Sequence, residues 1–165
     1  MSRIAIDAMG GDYAPRAIVE GSLWAAQEYG VGLELVGKEQ EIQAEIDKIK
    51  ARGYILSDCG TKGHKRRIKI DVDKIDYVIT HATEVIGMGE AVGQSIRKKK
   101  DSSIVKAMMM VKNKECDAFV SAGSTGAVLV GGQVLVGRIK GVERPPLAPL
   151  MPTKTGFSLI IDCGA

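Results

Sequence analysis

Three short apolar runs in this chain end alike, in a polar residue with glycine close behind: "AID" leads into "AMGGD", "FVS" into "AGSTG" and "IID" into "CGA". Short apolar runs closed by turn signals suit strands buried on both faces, and such strands belong to parallel sheets. Helical periodicity fills the first intervals. After "RIAI" at 3–6 and a glycine pair, Pro15 stands where a helix starts without losing an amide bond, and Ile18, Ser22, Ala25 and Tyr29 recur at helical spacing until Gly30. "VGLELVG" then gives a second strand, and "KEQEIQAEIDKIKARG" a second helix with Ile42, Ile46 and Ile49 on one stripe.

Residues 53–74 break this βαβα pattern with mixed glycine, charge and short alternation, which predicts a surface excursion shaped as a hairpin. "YVITHA" at 77–82 reads as the next strand, and "GMGEAVGQSIRKKKDSS" as a glycine-rich stretch ending in a basic cluster. Ser102 or Ser103 caps a helix reaching about Asn113, with Ile104, Met108 and Val111 inward. "CDAFVS" is a further strand, "TGAVLVGGQVLVGRI" a helix apolar enough to demand burial, and "GFSLIID" a last strand. The intervening "RPPLAPLMP" runs extended, because four prolines in eight residues forbid a helix. The expected fold is α/β: a doubly wound, mainly parallel sheet with helices on both faces. Residues 1–165 then form a single α/β domain or the amino-terminal part of a larger one, since "DCGA" stops where parallel topology calls for a helix.

Composition excludes more than it selects. Of 165 residues 45% are hydrophobic, enough for one sizeable core, while a net charge of +3 is too mild to signal nucleic acid. Aromatic residues at 4%, with Trp24 alone of its kind, leave little stacking surface for bases. Cys59, Cys116 and Cys163 form no CxxC pair, so neither a disulfide framework nor a metal site is expected, and a reducing cytoplasm is the natural setting. No run approaches the ~20 apolar residues of a membrane span, and no basic amphipathic helix marks the peripheral membrane contact that stays open.

The turn "SAGSTGA" at 121–127 carries the chemistry. Glycine lets backbone approach a ligand, a helix start offers unpaired amides, and the carboxyl edge of an open α/β sheet is where ligands bind. Gly123, Ser124, Thr125 and Gly126 are therefore candidates for an anion site, although an ordinary βα turn with a Ser or Thr cap has the same spacing. GxxxxGK[ST], GxGxxG and GxSxG are all absent, which disfavours P-loop, dinucleotide and serine-hydrolase readings. The basic run Arg97-Lys98-Lys99-Lys100 precedes a helix start, an unfavourable place for cations unless an anion compensates; a solvated face is the plainer reading. His64 and His81 read as packing or surface residues, and Asp7 and Asp12 as loop and cap residues.

Taken in order, "RIAIDAMGGDYAP", "RKKKDSS", "SAGSTGA", "GRIKGVERPPLAPLMPT" and "LIIDCGA" resemble the amino-terminal half of the PlsX phosphate acyltransferases, across nearly the whole chain apart from 53–74. The resemblance implies a fold similar to the isocitrate dehydrogenase and phosphotransacetylase group, a homodimer, and no cofactor or metal. It implies transfer of a fatty acyl group from acyl carrier protein to inorganic phosphate, for a membrane-embedded glycerol-phosphate acyltransferase to use. Phosphate is then the nucleophile, so the need is for an anion cradle beside a thioester carbonyl. On that basis Gly123, Ser124, Thr125 and Gly126 hold phosphate, Ser102 and Ser103 add donors, Lys99 and Lys100 offset the charge of phosphate and oxyanion, and Asp7, Gly10, Gly11 and Asp12 shape the neighbouring wall. Many members carry Asn where this chain has Ser124. A non-catalytic anion-binding or regulatory module is the alternative from another class.

Overall fold

The computed structural model describes residues 1–58, 65–143 and 145–161. Its centre is a parallel sheet of four strands: β1 (Arg3–Asp7), β2 (Gly32–Gly37), β5 (Tyr77–His81) and β6 (Ala118–Val120). Their order is β5-β2-β1-β6. The chain thus moves outward from β1 through β2 to β5, then returns to pair β6 on the other side of β1. Between β1 and β6 the winding reverses, which makes their carboxyl ends the topological switch point.

Helices α1 (Arg16–Tyr29) and α2 (Glu39–Arg52) cover one face. Each ends on a glycine with positive φ, Gly30 at 64° and Gly53 at 70°, a conformation glycine adopts without the Cβ clash. Their core side chains are Val19, Leu23 and Ala26, with Ile42, Ile46 and Ile49 in register beside them. Of the expected stripe Ile18, Ser22, Ala25 and Tyr29, Ser22 is buried and Ile18 packs against that core, whereas Tyr29 is exposed; the main core stripe runs one step round the helix. The second face is covered by α4 (Ser103–Lys112), whose Ala107 packs among Ala5, Val36 and Ala82. Two shorter helices, α3 (Val92–Lys98) and α5 (Thr125–Gly131, followed by a π-helical turn), form a second layer on α4 around Ile96, Met108 and Ala127.

The excursion is the expected hairpin, β3 (Tyr54–Asp58) against β4 (Lys65–Lys69), pinned to the core by Ile55, Ile70 and Val72. Glycine and a basic run conceal α3, which the sequence reading missed.

Two expectations at the carboxyl end are corrected. The apolar segment after Thr125 is not largely buried: Ala127 and Gly131 are, whereas Val134, Val136 and Ile139 are exposed. "GFSLIID" does not extend the parallel sheet, because β8 (Gly156–Leu159) pairs antiparallel with β7 (Leu150–Thr153) across the turn at Lys154 and Thr155. The extended proline run supplies that local partner at short range. Asp162 and Cys163 in the third strand-to-glycine motif, like Cys59 and His64, lie outside the described residues. Among the described residues no helix is long and apolar enough to cross a membrane.

Candidate anion site at the switch point

Parallel pairing of Ile6 with Val120 brings the residues that follow, Asp7 and Ser121, side by side. Asp7 is buried, and its Oδ2 accepts a hydrogen bond of 2.7 Å from Ser121 Oγ. Its Oδ1 accepts from the Met9 amide at 3.2 Å, and the Gly123 amide donates to Ser121 Oγ at 3.0 Å. One carboxylate and one hydroxyl thus brace both loops of the switch point.

The glycines explain how closely the loops meet. A Cβ on Gly10 would lie 2.5 Å from Asp7 Oδ2 and 2.8 Å from the Gly123 nitrogen. Gly11, at φ 97°, sits against the Ala122 carbonyl. The signature at 7–12 is therefore a second turn pressed into the first, with Gly10 small enough to admit it. Asp12 is exposed beyond the contact.

From that brace α5 departs. Ser124 is its cap: buried, with Oγ accepting from the Ala127 amide at 3.3 Å. None of the described residues accepts from the Thr125 or Gly126 amides, the orphan donors of a helix first turn, and the Thr125 hydroxyl is exposed beside them.

The structure redistributes the expected cradle. Gly123 gives its amide to Ser121, and the Ser124 hydroxyl caps α5, so the outward donors are those of Thr125 and Gly126. Ser102 is fully buried; its Oγ donates to the Lys99 carbonyl at 2.8 Å and accepts from Val105, so it is the cap of α4 and no free donor. Ser103 is buried as well, its Oγ unpartnered among the described residues. Val92 at the start of α3 touches Gly126, and Ile96 touches Gly131, so α3 and α5 run in the same direction. Lys99 and Lys100 thereby fall past the end of α3 away from Gly126. Lys99 Nζ is held by Glu90 Oε1 at 2.6 Å and by the Val85 carbonyl at 2.8 Å. The Lys99 ammonium, with help from the Gly87 amide and the Ser95 hydroxyl, pulls the Glu90 carboxyl down to about 2. Lys100 is exposed, with no bond to the turn.

The third loop at this sheet edge, after β5, is tied in by a residue the sequence reading passed over. Asp101 accepts from the Thr83 amide at 2.9 Å and hydroxyl at 2.6 Å and pairs with Lys106. Lys106 first and Thr83 second hold its carboxyl well below the usual carboxylate range. His81 Nδ1 accepts from the Glu39 amide at 3.2 Å, which gives it a structural post beside α2. Among the described residues no group of three His, Cys, Asp or Glu side chains is placed to hold a metal ion.

A family model described as "Fatty acid synthesis protein" matches residues 2–165. The chain belongs to that family. Within the fatty acid synthesis protein family it is similar to curated proteins named phosphate acyltransferase. That of Desulforamulus reducens is 44% identical over 165 residues, covering 100% of this chain and 43% of the relative. That of Pelotomaculum thermopropionicum is 42% identical over 163 residues, covering 99% of this chain and 41% of the relative. That of Clostridium botulinum is 44% identical over 164 residues, with 99% and 43% covered. The chain thus spans less than half the length of the curated family members it matches.

Proposed function

We propose that the protein to which this chain belongs transfers a fatty acyl group from acyl carrier protein to inorganic phosphate, giving an acyl phosphate. The observation that carries this reading is the first turn of α5. Two amides unpaired among the described residues and the Thr125 hydroxyl stand at the switch point on a loop braced by Asp7 and Ser121. Such a turn suits a small oxyanion, because amides and dipole both favour negative charge. Phosphate oxygen attacks the thioester carbonyl carbon, a C–O bond forms, the C–S bond breaks, and the pantetheine sulfur leaves with the electron pair. No activated serine or cysteine is needed; placement of the anion against the carbonyl supplies the advantage. Thr125 and Gly126 bind the phosphate. Lys99 acts through Glu90 as a positioning residue, and Lys100, past the end of α3 away from Gly126, is left out of the cradle.

Support for acyl transfer in fatty acid synthesis comes from the family and from the names of its members; acyl carrier protein as the donor is part of the proposal. The proposal extends to a homodimer in the cytoplasm that hands acyl phosphate to a membrane-embedded glycerol-phosphate acyltransferase. The test is phosphate-dependent release of acyl carrier protein from its acyl thioester. Release with stoichiometric acyl phosphate is expected, and its absence at saturating phosphate would sink the reading. A merely anion-binding module would instead bind phosphate without turnover.

A further inference from the structure

Helix α3 has little of its own to hold it in place. It is seven residues long, its cap Ala91 makes no side-chain bond, and Gly87, Gly89 and Gly93 surround its start. Helices shorter than about 12 residues are marginal in water, so α3 depends on what it is tied to. One carboxylate gathers the ties. Glu90 Oε1 accepts from the Gly87 amide at 2.8 Å and from Lys99 Nζ at 2.6 Å, and Oε2 accepts from Ser95 Oγ at 2.9 Å. Lys99 Nζ also donates to the Val85 carbonyl at 2.8 Å. The loop before α3, its first turn and the residue after its end therefore converge on Glu90. The helix so fixed leans on the anion turn: Val92 Cγ2 lies 3.1 Å from the place a Cβ on Gly126 would take. Further along, Ile96 Cδ1 lies 3.4 Å from the same place on Gly131, so α3 follows α5 over most of its length.

We propose that Glu90 is a positioning residue for the anion turn: it fixes α3, and α3 through Val92 fixes the backbone of Gly126. The inference rests on the anion-site reading above and adds what holds the turn from outside the sheet. Asp7 and Ser121 brace the turn from the sheet side, through the Gly123 amide. Thr125 and Gly126 lie beyond that brace, and their amides have no acceptor among the described residues, so no bond to those amides holds them. Gly126, without a Cβ, is the loosest residue of the helix first turn. Packing by Val92 takes the place of the missing restraint, and the turn keeps one shape before phosphate arrives. Amides already oriented bind an anion more tightly than amides that must be ordered on binding.

The test uses the full-length protein with Glu90→Gln, Val92→Ala or Val92→Ile, each melted to confirm that it is folded. Glutamine has one acceptor oxygen where Glu90 uses two, and alanine withdraws the carbon that touches Gly126. Inorganic phosphate is titrated by calorimetry, and hydrogen exchange of the peptide 121–127 is followed without ligand by mass spectrometry. In Glu90→Gln and Val92→Ala the phosphate dissociation constant should rise about tenfold, the worth of one well-placed bond to a charged group. Exchange at 121–127 should quicken in both, and KM should rise for phosphate but not for the acyl donor. Val92→Ile, which keeps a branched carbon against Gly126, should bind phosphate as the wild type does. A folded Glu90→Gln with wild-type exchange and wild-type phosphate affinity overturns the proposal. So does weakened binding in Glu90→Gln beside unchanged binding in Val92→Ala, because the carboxylate then acts by its charge and not through α3. A wild type that binds no phosphate removes the anion-site reading alone, since exchange at 121–127 still decides whether Glu90 positions the turn.

Discussion

Ser121 donates to the Asp7 carboxylate at 2.7 Å, joining residues 114 positions apart in sequence. Everything proposed for the anion turn depends on this bond, because Ser121 Oγ also receives the Gly123 amide. Replacing Ser121 by Ala strips a buried carboxylate of a donor and the Gly123 amide of an acceptor. A loss of roughly 1–3 kcal/mol in unfolding free energy is expected. It should come with a rise in KM for phosphate larger than that for the acyl donor. Denaturant titration and steady-state kinetics check both, and equal KM changes would show that the bond does not shape the turn.

Gly10 and Gly93 make an internally controlled pair. A methyl on Gly10 meets Asp7 Oδ2 at 2.5 Å and backbone at 2.8 Å, so Gly10→Ala must push the two loops apart, at about 1–3 kcal/mol. Gly93, inside α3, has nothing within 4 Å of the added carbon, and Gly93→Ala should stabilise by up to about 1 kcal/mol. Melting curves of the two variants, shifted in opposite directions, are the expected outcome.

Thr125→Val keeps volume and removes the hydroxyl beside the free amides. Its expected signature is a severalfold higher KM for phosphate with the fold intact, read from initial rates over a phosphate series. Lys99→Met should instead lower stability, since Glu90 loses the ion pair that its position was built around.

Acid should weaken the fold through Glu90 and Asp101. Both carboxyls titrate lower in the folded chain than in the unfolded one, Glu90 to about 2, so the stability they contribute is fully present above the unfolded value near 4 and is lost as pH falls toward the folded one. Unfolding free energy measured from pH 5 downward should fall, and Glu90→Gln should flatten that fall. An unchanged slope in the variant would contradict the assignment.

Cys116 is buried, and burial pushes its thiol up, with the Glu34 charge adding to the effect. It should resist iodoacetamide in the folded protein at neutral pH and react after denaturation, as peptide mass analysis would show.

Much of this was legible in the chain. Apolar runs of strand length, the isoleucine spacing of α2, Pro15 before α1 and Gly30 after it each set local structure by rules that need no distant partner, and they are found where the residues put them. The glycine turns at 10–11 and 123–126 were equally visible as places for backbone to approach something. What they approach was not, because it depends on which strands become neighbours. Only the return of β6 to the side of β1 sets Ser121 against Asp7, turns the Gly123 amide inward and leaves those of Thr125 and Gly126 facing out. Ser102, Ser124 and Lys99 look like ligand donors in sequence, yet a hydroxyl or ammonium bonds to the nearest unsatisfied group, and folding placed helix amides and Glu90 within reach. The sequence by itself determined the strands, the helices and the capacity for an anion turn, since those follow from local sterics and periodicity. Tertiary structure alone decided which donors remain free, because that is a competition among groups brought together across the whole fold.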